Sequence, residues 1–242
     1  MTRLDSLEIR PLAPRDLGVY ASVPIRFEVR SRLRVALLDG GLGGMRLIEE
    51  YVQPPYVKDY DTQDGGDLPD PLRWPEEFDV SEWGFFLALE DSLPVGAATV
   101  AWNTPQVRML DGRTDLAVLW DLRVRPESRG RGVGTALFRR AADWARERGC
   151  RHLKVETQDI NVPACRFYAA QGCRLGAIHR YAYAAEPAVA HEALTWAWDP
   201  MAAAAQAAAA AGAHPSGSIP AAPAPPLPPP PAAALPQAAG GR

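Results

Sequence analysis

The stretch RPESRGRGVGTALFRRAADWARERG, residues 125–149, decides the fold that the sequence predicts. Its first half carries glycines among arginines. Its second half repeats apolar residues at helical spacing, with charges on the opposite face: Val133, Leu137, Ala141 and Trp144. Glycines directly before a helix allow close approach to its free backbone N–H groups, and the helix dipole favours an anion there. The stretch therefore indicates either a phosphate or pyrophosphate site or a tight turn with a flexible tip.

Strands flank this helix on both sides. The segment DLAVLWDLRV, residues 115–124, is predicted to be a strand that leads into the glycines, and RHLKVET, residues 151–157, is predicted to follow the helix as another. Asn161 is placed to cap a second helix, with Pro163 in its first turn. The segments CRLGAIHRYAY and HEALTWAWD are expected to close the domain as strands.

The part of the chain before the glycines is predicted less evenly. LEIRPL is expected to be an edge strand, and WGFFLALE, DSLP and VGAATVAW form a plausible hairpin. IRFEVRSRLRV fits either a strand or an amphipathic helix. Residues 53–75, rich in Pro, Gly and Asp, are predicted to be a long loop. This order of elements predicts an α/β fold, with a mixed sheet and helices on both faces.

Composition argues against several classes of protein. The net charge of −3 comes without a separate basic stripe, which speaks against a nucleic-acid partner. MTRLDSLEIR lacks the apolar stretch of a secretory signal, and the alanine run is too short for a membrane span of about 20 residues. The cysteines, an odd count without metal spacing, predict neither a disulfide framework nor a metal site: Cys150, Cys165 and Cys173. These features are typical of a soluble cytoplasmic protein.

The C-terminal 42 residues differ from the rest. Residues 201–242 hold 18 Ala and 10 Pro and contain no Asp, Glu or aromatic residue. Such a segment has too little bulky apolar surface to offset the entropy lost on ordering. We therefore predict a disordered Ala/Pro-rich tail over 201–242 and one folded domain over residues 6–200.

The glycine motif excludes two nucleotide sites and matches a third pattern. A nucleoside-triphosphate loop needs a lysine that GVGT, residues 132–135, lacks, and the dinucleotide fingerprint needs a different glycine spacing. Arg129, Gly132 and Gly134 instead fit R/Q-x-x-G-x-G/A, the strand-to-helix motif of the GNAT superfamily of N-acetyltransferases. VETQDINVPACRFYAAQG, residues 155–172, resembles the second cofactor motif of that superfamily.

The chain resembles in particular the streptothricin acetyltransferase branch, through LWDLRV, VETQ..N..A..FY and HEALTWAWD. The resemblance covers residues 80–200 well and residues 11–75 only loosely. The loosely matched part includes PPYVKDYD, where substrate contacts in the superfamily often lie. Two motifs in the expected order at the expected separation make the resemblance specific.

The resemblance implies a GNAT fold with a mixed, mostly antiparallel central sheet and a bulged strand. It places the bulge around Leu122 to Val124, where the sheet would open for the pantetheine arm of acetyl-CoA. It also implies that loop N–H groups hold the cofactor pyrophosphate, and that Asn161 contacts the cofactor arm besides capping its helix. The expected loop set is Arg129, Gly130, Arg131, Gly132, Val133, Gly134 and Thr135, in which the arginines could also be ordinary solvated charges.

Three residues are candidates for catalysis. By resemblance, Tyr168 lies near the cofactor sulfur and protonates the departing thiolate, although it could also be a packed aromatic beside Phe167. A tyrosine with a pKa of about 10 keeps its proton at neutral pH. Glu156 and Asp121 lie near the ends of central strands and could take a proton from the attacking amine, although each could be an ordinary solvated carboxylate.

The predicted function is transfer of an acetyl group from acetyl-CoA to a primary amine of a small cationic molecule, such as a streptothricin-like antibiotic. No metal is predicted, because His152, His179 and His191 are scattered along the chain, and a homodimer is left open. One alternative is a protein lysine or N-terminal acetyltransferase. Another is a non-catalytic acyl-CoA-binding module, which would keep the glycine loop without turnover.

Overall fold

The computed structural model of the chain describes residues 7–61, 70–180, 182 and 193–199. The predicted tail and the ends of the predicted domain lie outside the described residues. Within them, the strands are β1 (Leu7–Pro11), β2 (Phe27–Leu37), β3 (Met45–Lys58), β4 (Gly84–Glu90), β5 (Leu93–Trp102), β6 (Leu116–Val124), β7 (His152–Gln158), β8 (Arg174–His179) and β9 (Ala193–Trp198). The α-helices are α1 (Leu17–Ala21), α2 (Trp74–Glu77), α3 (Val133–Glu147) and α4 (Val162–Ala170).

The described strands form a large sheet and a separate hairpin. The large sheet has the order β1-β4-β5-β6-β7-β9-β8, and β2 pairs with β3 alone. Every neighbouring pair in the large sheet is antiparallel except β6 and β7, which run parallel because α3 crosses between them. The predicted mixed, mostly antiparallel sheet is therefore confirmed.

Helices cover both faces of the large sheet, as the sequence predicted. Successive residues of β4 point to opposite faces, because side chains alternate along a strand. Phe86 packs in the core with α3 and α4, which contribute Leu137 and Tyr168. Phe85 packs in the core on the other face, where Tyr20 of α1 and Trp74 of α2 are fully buried. Burial of these apolar side chains is the main force that holds the layers together.

The predicted loop over residues 53–75 is wrong in part. Residues 53–58 belong to β3, which pairs with β2, and a 3-10 turn at Pro71–Arg73 leads into α2. The prolines at 54 and 55 are tolerated because the pairing skips from Tyr56 to Tyr51, and a proline costs no ladder bond there. The undecided stretch IRFEVRSRLRV is a strand over most of its length.

The bulge of β6 lies earlier than the sequence suggested. Val100 of β5 pairs with Leu119, and Thr99 pairs with Asp121, so Trp120 is the extra residue. The expectation of a bulge around Leu122 to Val124 is therefore wrong by about two residues. The reason is tertiary, because Asp121 is placed by the extra residue on the face where it bonds Tyr20.

Because of two buried thiols, the free energy of unfolding should fall as the pH becomes alkaline. Burial raises the pKa of Cys165 and of Cys173 to about 12, from an ordinary value of about 9. Thiols whose folded pKa is raised add stability that is complete below pH 9 and is lost as pH rises towards 12. Each thiol should cost about 2 kcal/mol of unfolding free energy between pH 8 and 10.5.

Urea unfolding at the two pH values tests this effect. The double variant Cys165→Ala, Cys173→Ala is expected to lose less stability between pH 8 and 10.5 than the wild type, whatever its stability at pH 8. An equal loss in both proteins would show that these thiols are not protected from ionisation in the fold.

Candidate active site

A cleft opens where two neighbouring strands part. The pairing of β6 with β7 ends at Val118 and Lys154, whereas the pairing of β6 with β5 continues to Val124. Beyond that point the two strands form the walls of a cleft of about 1030 Å³. The cleft is lined by residues 119–124 of β6 and residues 155–158 of β7. The edge of β6 that faces β7 therefore offers backbone groups to a ligand.

The glycine loop lies at one end of the cleft. Gly130 and Gly132 have φ angles of 72° and 92°, a region that favours glycine. Gly132 is the N-cap of α3, whose first hydrogen bond runs from the Ala136 N–H to the Gly132 oxygen at 3.0 Å. The N–H groups before Ala136 have no partner within the helix, and among the described residues no side chain caps them. This end of the cleft suits a phosphate group.

Gly134 shows that the loop leaves room for a ligand. A Cβ atom at this position would lie 3.5 Å from the Phe167 ring and 3.7 Å from Val124, both of which line the cleft. A side chain at 134 would thus project into the cleft. The bare backbone at the start of α3 leaves space for an anionic group, and its contact with the coenzyme pyrophosphate stays a prediction.

The other members of the predicted loop set differ in role. Arg129 lines the cleft, but its guanidinium donates to the carbonyl oxygens of Val124 and Arg26, at 3.0 and 2.6 Å, and so ties the loop to β6. Arg131 forms an ion pair with Glu90. The Val133 side chain is buried in the core. The cleft-lining members are thus Arg129, Gly130, Gly132, Gly134 and Thr135.

The predicted contacts to the cofactor arm also line the cleft. Leu122 and Val124 lie on the open stretch of β6, and Asn161 lies opposite them at the start of α4. The Asn161 side chain accepts a hydrogen bond from the Ala164 N–H at 3.2 Å, so the predicted N-cap is confirmed. Asn161 lines the cleft as well, and its contact with the cofactor arm stays a prediction.

Tyr168 lines the cleft and is buried. Its ring packs against Phe167 and Phe138, with centroids 5.3 and 6.2 Å away. Burial, reinforced by the Asp121 carboxylate, raises the pKa of Tyr168 well above that of free tyrosine. The phenol therefore keeps its proton at any physiological pH and can donate a hydrogen bond.

The two candidate bases lie in different surroundings. Asp121 is buried and accepts hydrogen bonds from Tyr20 at 2.8 Å and from Arg123 at 2.7 and 3.1 Å. Glu156 is exposed on β7 and lines the cleft. A base must reach the proton that it removes, and the Asp121 oxygens are buried and already accept hydrogen bonds from Tyr20 and Arg123. The geometry therefore favours Glu156.

The end of the cleft away from the glycine loop is aromatic. Most of its residues are not among the site residues that the sequence predicted. The Phe78 and Trp120 rings meet edge to face, with centroids 5.3 Å apart. Tyr60 belongs to the segment PPYVKDYD, where the sequence analysis expected substrate contacts, and it donates a hydrogen bond to Gln158 at 2.8 Å. The remaining wall is the turn at residues 106–109. These residues come from four separate segments, so no local pattern could unite them.

A comparison of the chain with known protein families shows the family to which it belongs. A family described as the acetyltransferase (GNAT) family matches residues 46–173, more than half of the chain. The chain belongs to the GNAT acetyltransferase family. It is therefore an acetyl-CoA-dependent N-acetyltransferase, and the predicted fold and enzyme class are confirmed.

Two relatives show which branch of the family this acetyltransferase resembles. It is 32% identical over 186 residues to a streptothricin acetyltransferase of Escherichia coli, which covers 76% of this chain and 92% of the relative. A streptothricin acetyltransferase of Streptomyces lavendulae is 30% identical over 171 residues, with 71% and 83% of the two chains covered. The predicted resemblance is confirmed by these relatives.

Solved structures agree. A nourseothricin acetyltransferase superimposes with a TM-score of 0.62 at 26% identity, over 80% of this chain and 98% of that chain. An acetyltransferase of Bacillus anthracis str. Ames, in complex with acetyl coenzyme A, gives a TM-score of 0.62 at 25% identity, over 81% and 99% of the two chains.

No helix among the described residues is long and apolar enough to cross a membrane. Among the same residues, no group of three or more His, Cys, Asp or Glu side chains is placed to hold a metal ion.

Gly134→Ala tests the glycine loop. The variant should weaken acetyl-CoA binding about tenfold, which is about 1.4 kcal/mol, because the methyl group enters the ligand's space. The free energy of unfolding should not fall, since alanine favours a helix. Calorimetric titration and thermal unfolding measure the two effects.

Gly149→Ala, at the other end of α3, is the matched control. Gly149 has a φ of 75° with nothing within 4 Å of an added Cβ, so this variant should lose stability and keep its affinity. If Gly134→Ala bound acetyl-CoA as tightly as the wild type, the loop would not be the pyrophosphate site.

Proposed function

We propose that this N-acetyltransferase acetylates a primary amine of a small cationic molecule of the streptothricin type. One observation carries the proposal: a single cleft is lined by the bare helix start at the glycine loop, by an aromatic wall and by Tyr168. The glycine-loop end suits a coenzyme and the aromatic end an organic acceptor, so both reactants would be held together. The names of the streptothricin acetyltransferase relatives support this acceptor class.

Acetyl-CoA would occupy the end of the cleft with the glycine loop. The amides before Ala136 would bind its pyrophosphate. The open edge of β6 would hold its extended arm by backbone hydrogen bonds, as an added strand does. Leu122, Val124 and Asn161 would line this arm. The substrate supplies an acetyl thioester, an acyl group already activated for transfer.

The acceptor would attack directly. A protonated amine has no lone pair to offer, so Glu156 would first take its proton, either directly or through water. The nitrogen then forms a bond to the acetyl carbon as the carbon–sulfur bond breaks, while a β6 N–H polarises the carbonyl oxygen. The nitrogen loses its second proton to solvent, which leaves the neutral amide. Asp121, already bonded to Tyr20 and Arg123, would instead fix the geometry of β6.

Tyr168 would stabilise the sulfur that leaves. A buried thiolate without a partner is costly, and the Tyr168 hydroxyl lies in the same cleft. Its raised pKa makes Tyr168 a weaker acid than a thiol in water. In a buried site the pKa of the leaving thiol would rise as well, so a hydrogen bond from Tyr168 would stabilise the thiolate. Tyr168 would pass its proton to the sulfur and regain one from solvent.

The charges around the aromatic end fit a cation only moderately. Glu156 and Glu28 line the cleft, and Glu28 already pairs with Arg30. Arg108 adds a positive charge at the mouth. Aromatic faces attract cations without a full negative charge, so Trp120 and its neighbours would contribute to binding of an ammonium group.

A coenzyme A release assay over three acceptor classes tests the proposed function. Streptothricin-type antibiotics should give the highest kcat/KM, above simple polyamines and lysine-containing peptides. Turnover of peptides alone would favour the protein acetyltransferase alternative, and acetyl-CoA binding without turnover of any acceptor would favour a binding module.

Glu156→Gln should lower kcat/KM most at low pH, where the amine is most protonated. A homodimer and a cytoplasmic location stay predictions, which light scattering and cell fractionation can test.

Tyr168→Phe tests the role of the hydroxyl. The variant keeps the ring that packs against Phe167, so the fold should persist. We expect kcat to fall by about 10²-fold and acetyl-CoA affinity to change little, because the lost interaction forms mainly in the transition state. Equal kcat values for variant and wild type would assign Tyr168 to core packing.

A further inference from the structure

Lys154 lies where β6 and β7 part. It pairs in register with Val118, at the end of the parallel ladder before the cleft opens. Its ammonium donates to the Met109 carbonyl oxygen and to an Asp111 carboxylate oxygen, each at 2.7 Å. The Lys154 side chain is 21% exposed. It thus ties the turn before β6 to the fork of the sheet.

The turn that Lys154 holds forms part of the cleft wall. Residues 106–109 line the aromatic end, and Met109 packs against the core cluster that includes Trp120 at its edge. Val107 and Leu110 anchor the turn from below, since both are 2% exposed. Burial of their side chains fixes the base of the turn, whereas Lys154 fixes the backbone at its crest.

We propose that Lys154 is a positioning residue for the acceptor. By holding the Met109 carbonyl and Asp111, it sets how far Met109 and Arg108 stand from the Trp120 side of the cleft. The glycine loop lies at the other end, so acetyl-CoA does not sense this distance. The proposal rests on the proposed function, which assigns the aromatic end to the acceptor.

The chemistry of the contact supports a positional role. An ammonium bonded to both a carbonyl and a carboxylate makes charge-assisted hydrogen bonds, which are roughly twice as strong as neutral ones. Asp111 has a φ of 52°, in the left-handed region that non-glycine residues seldom occupy. The turn therefore has a backbone conformation that is fixed by its partners. Removal of the ammonium should allow the turn to relax and the wall to move.

Lys154→Met tests the proposal, because it keeps most of the apolar stem and removes the ammonium. We expect the KM for the acceptor to rise about tenfold or more, with kcat and the KM for acetyl-CoA within about twofold of wild type. Lys154→Arg should give an intermediate value, since it keeps the charge with a different geometry.

Arg113→Met is the matched control. It removes the exposed pair of Arg113 with Asp115 at 2.8 Å, in the same turn but outside the cleft, and should change neither KM. An unchanged acceptor KM in Lys154→Met, or an equal rise in both KM values, would overturn the proposal and leave Lys154 an ordinary structural ion pair.

Hydrogen exchange separates this proposal from the proposed function, because it needs no acceptor. In Lys154→Met, amides of residues 106–111 should exchange about tenfold faster, with core strands unchanged. Faster exchange together with no turnover of any acceptor by the wild type would contradict the proposed function, although it would still show that Lys154 holds the turn at residues 106–111. Unchanged exchange would contradict the positional role itself.

Discussion

The parting of β6 from β7 is the constraint on which the rest of the site depends. Each strand keeps its other neighbour: β6 stays paired with β5 to Val124, and β7 stays paired with β9 from Leu153 to Gln158. Between them the parallel ladder stops at Val118, so a cleft passes from one face of the sheet to the other. The sheet loses hydrogen bonds at this place and gains an edge for a substrate.

A buried network around Arg123 holds the parted wall in place. Its guanidinium bonds Asp121 at 2.7 Å, Asp61 at 3.1 Å and the Val23 carbonyl at 3.0 Å, and Tyr20 completes the shell of Asp121. Burial of an ion pair costs desolvation energy. Such a network therefore fixes the positions of its residues more than it raises the free energy of unfolding. It fixes the bulged strand to the segment that carries Tyr60, and thereby joins both sides of the aromatic end.

The parts of the site that follow from local sequence could be predicted. Asn161 caps α4 with its own side chain, and Gly132 caps α3 because the left-handed φ needs glycine. The acceptor wall could not be predicted in the same way, since Phe78 and Trp120 meet only after the sheet has formed. The bulge is another such case, because strand pairing and the buried Asp121 set its position.

The central claim is that acetyl-CoA binds along the open edge of β6. Amide hydrogen exchange of the full chain, with and without acetyl-CoA, measures this most directly. The account predicts slower exchange in residues 119–124 and at the start of α3, with no change in the paired residues 116–118. Tight binding that leaves exchange in residues 119–124 unchanged would contradict it, and would place the coenzyme elsewhere.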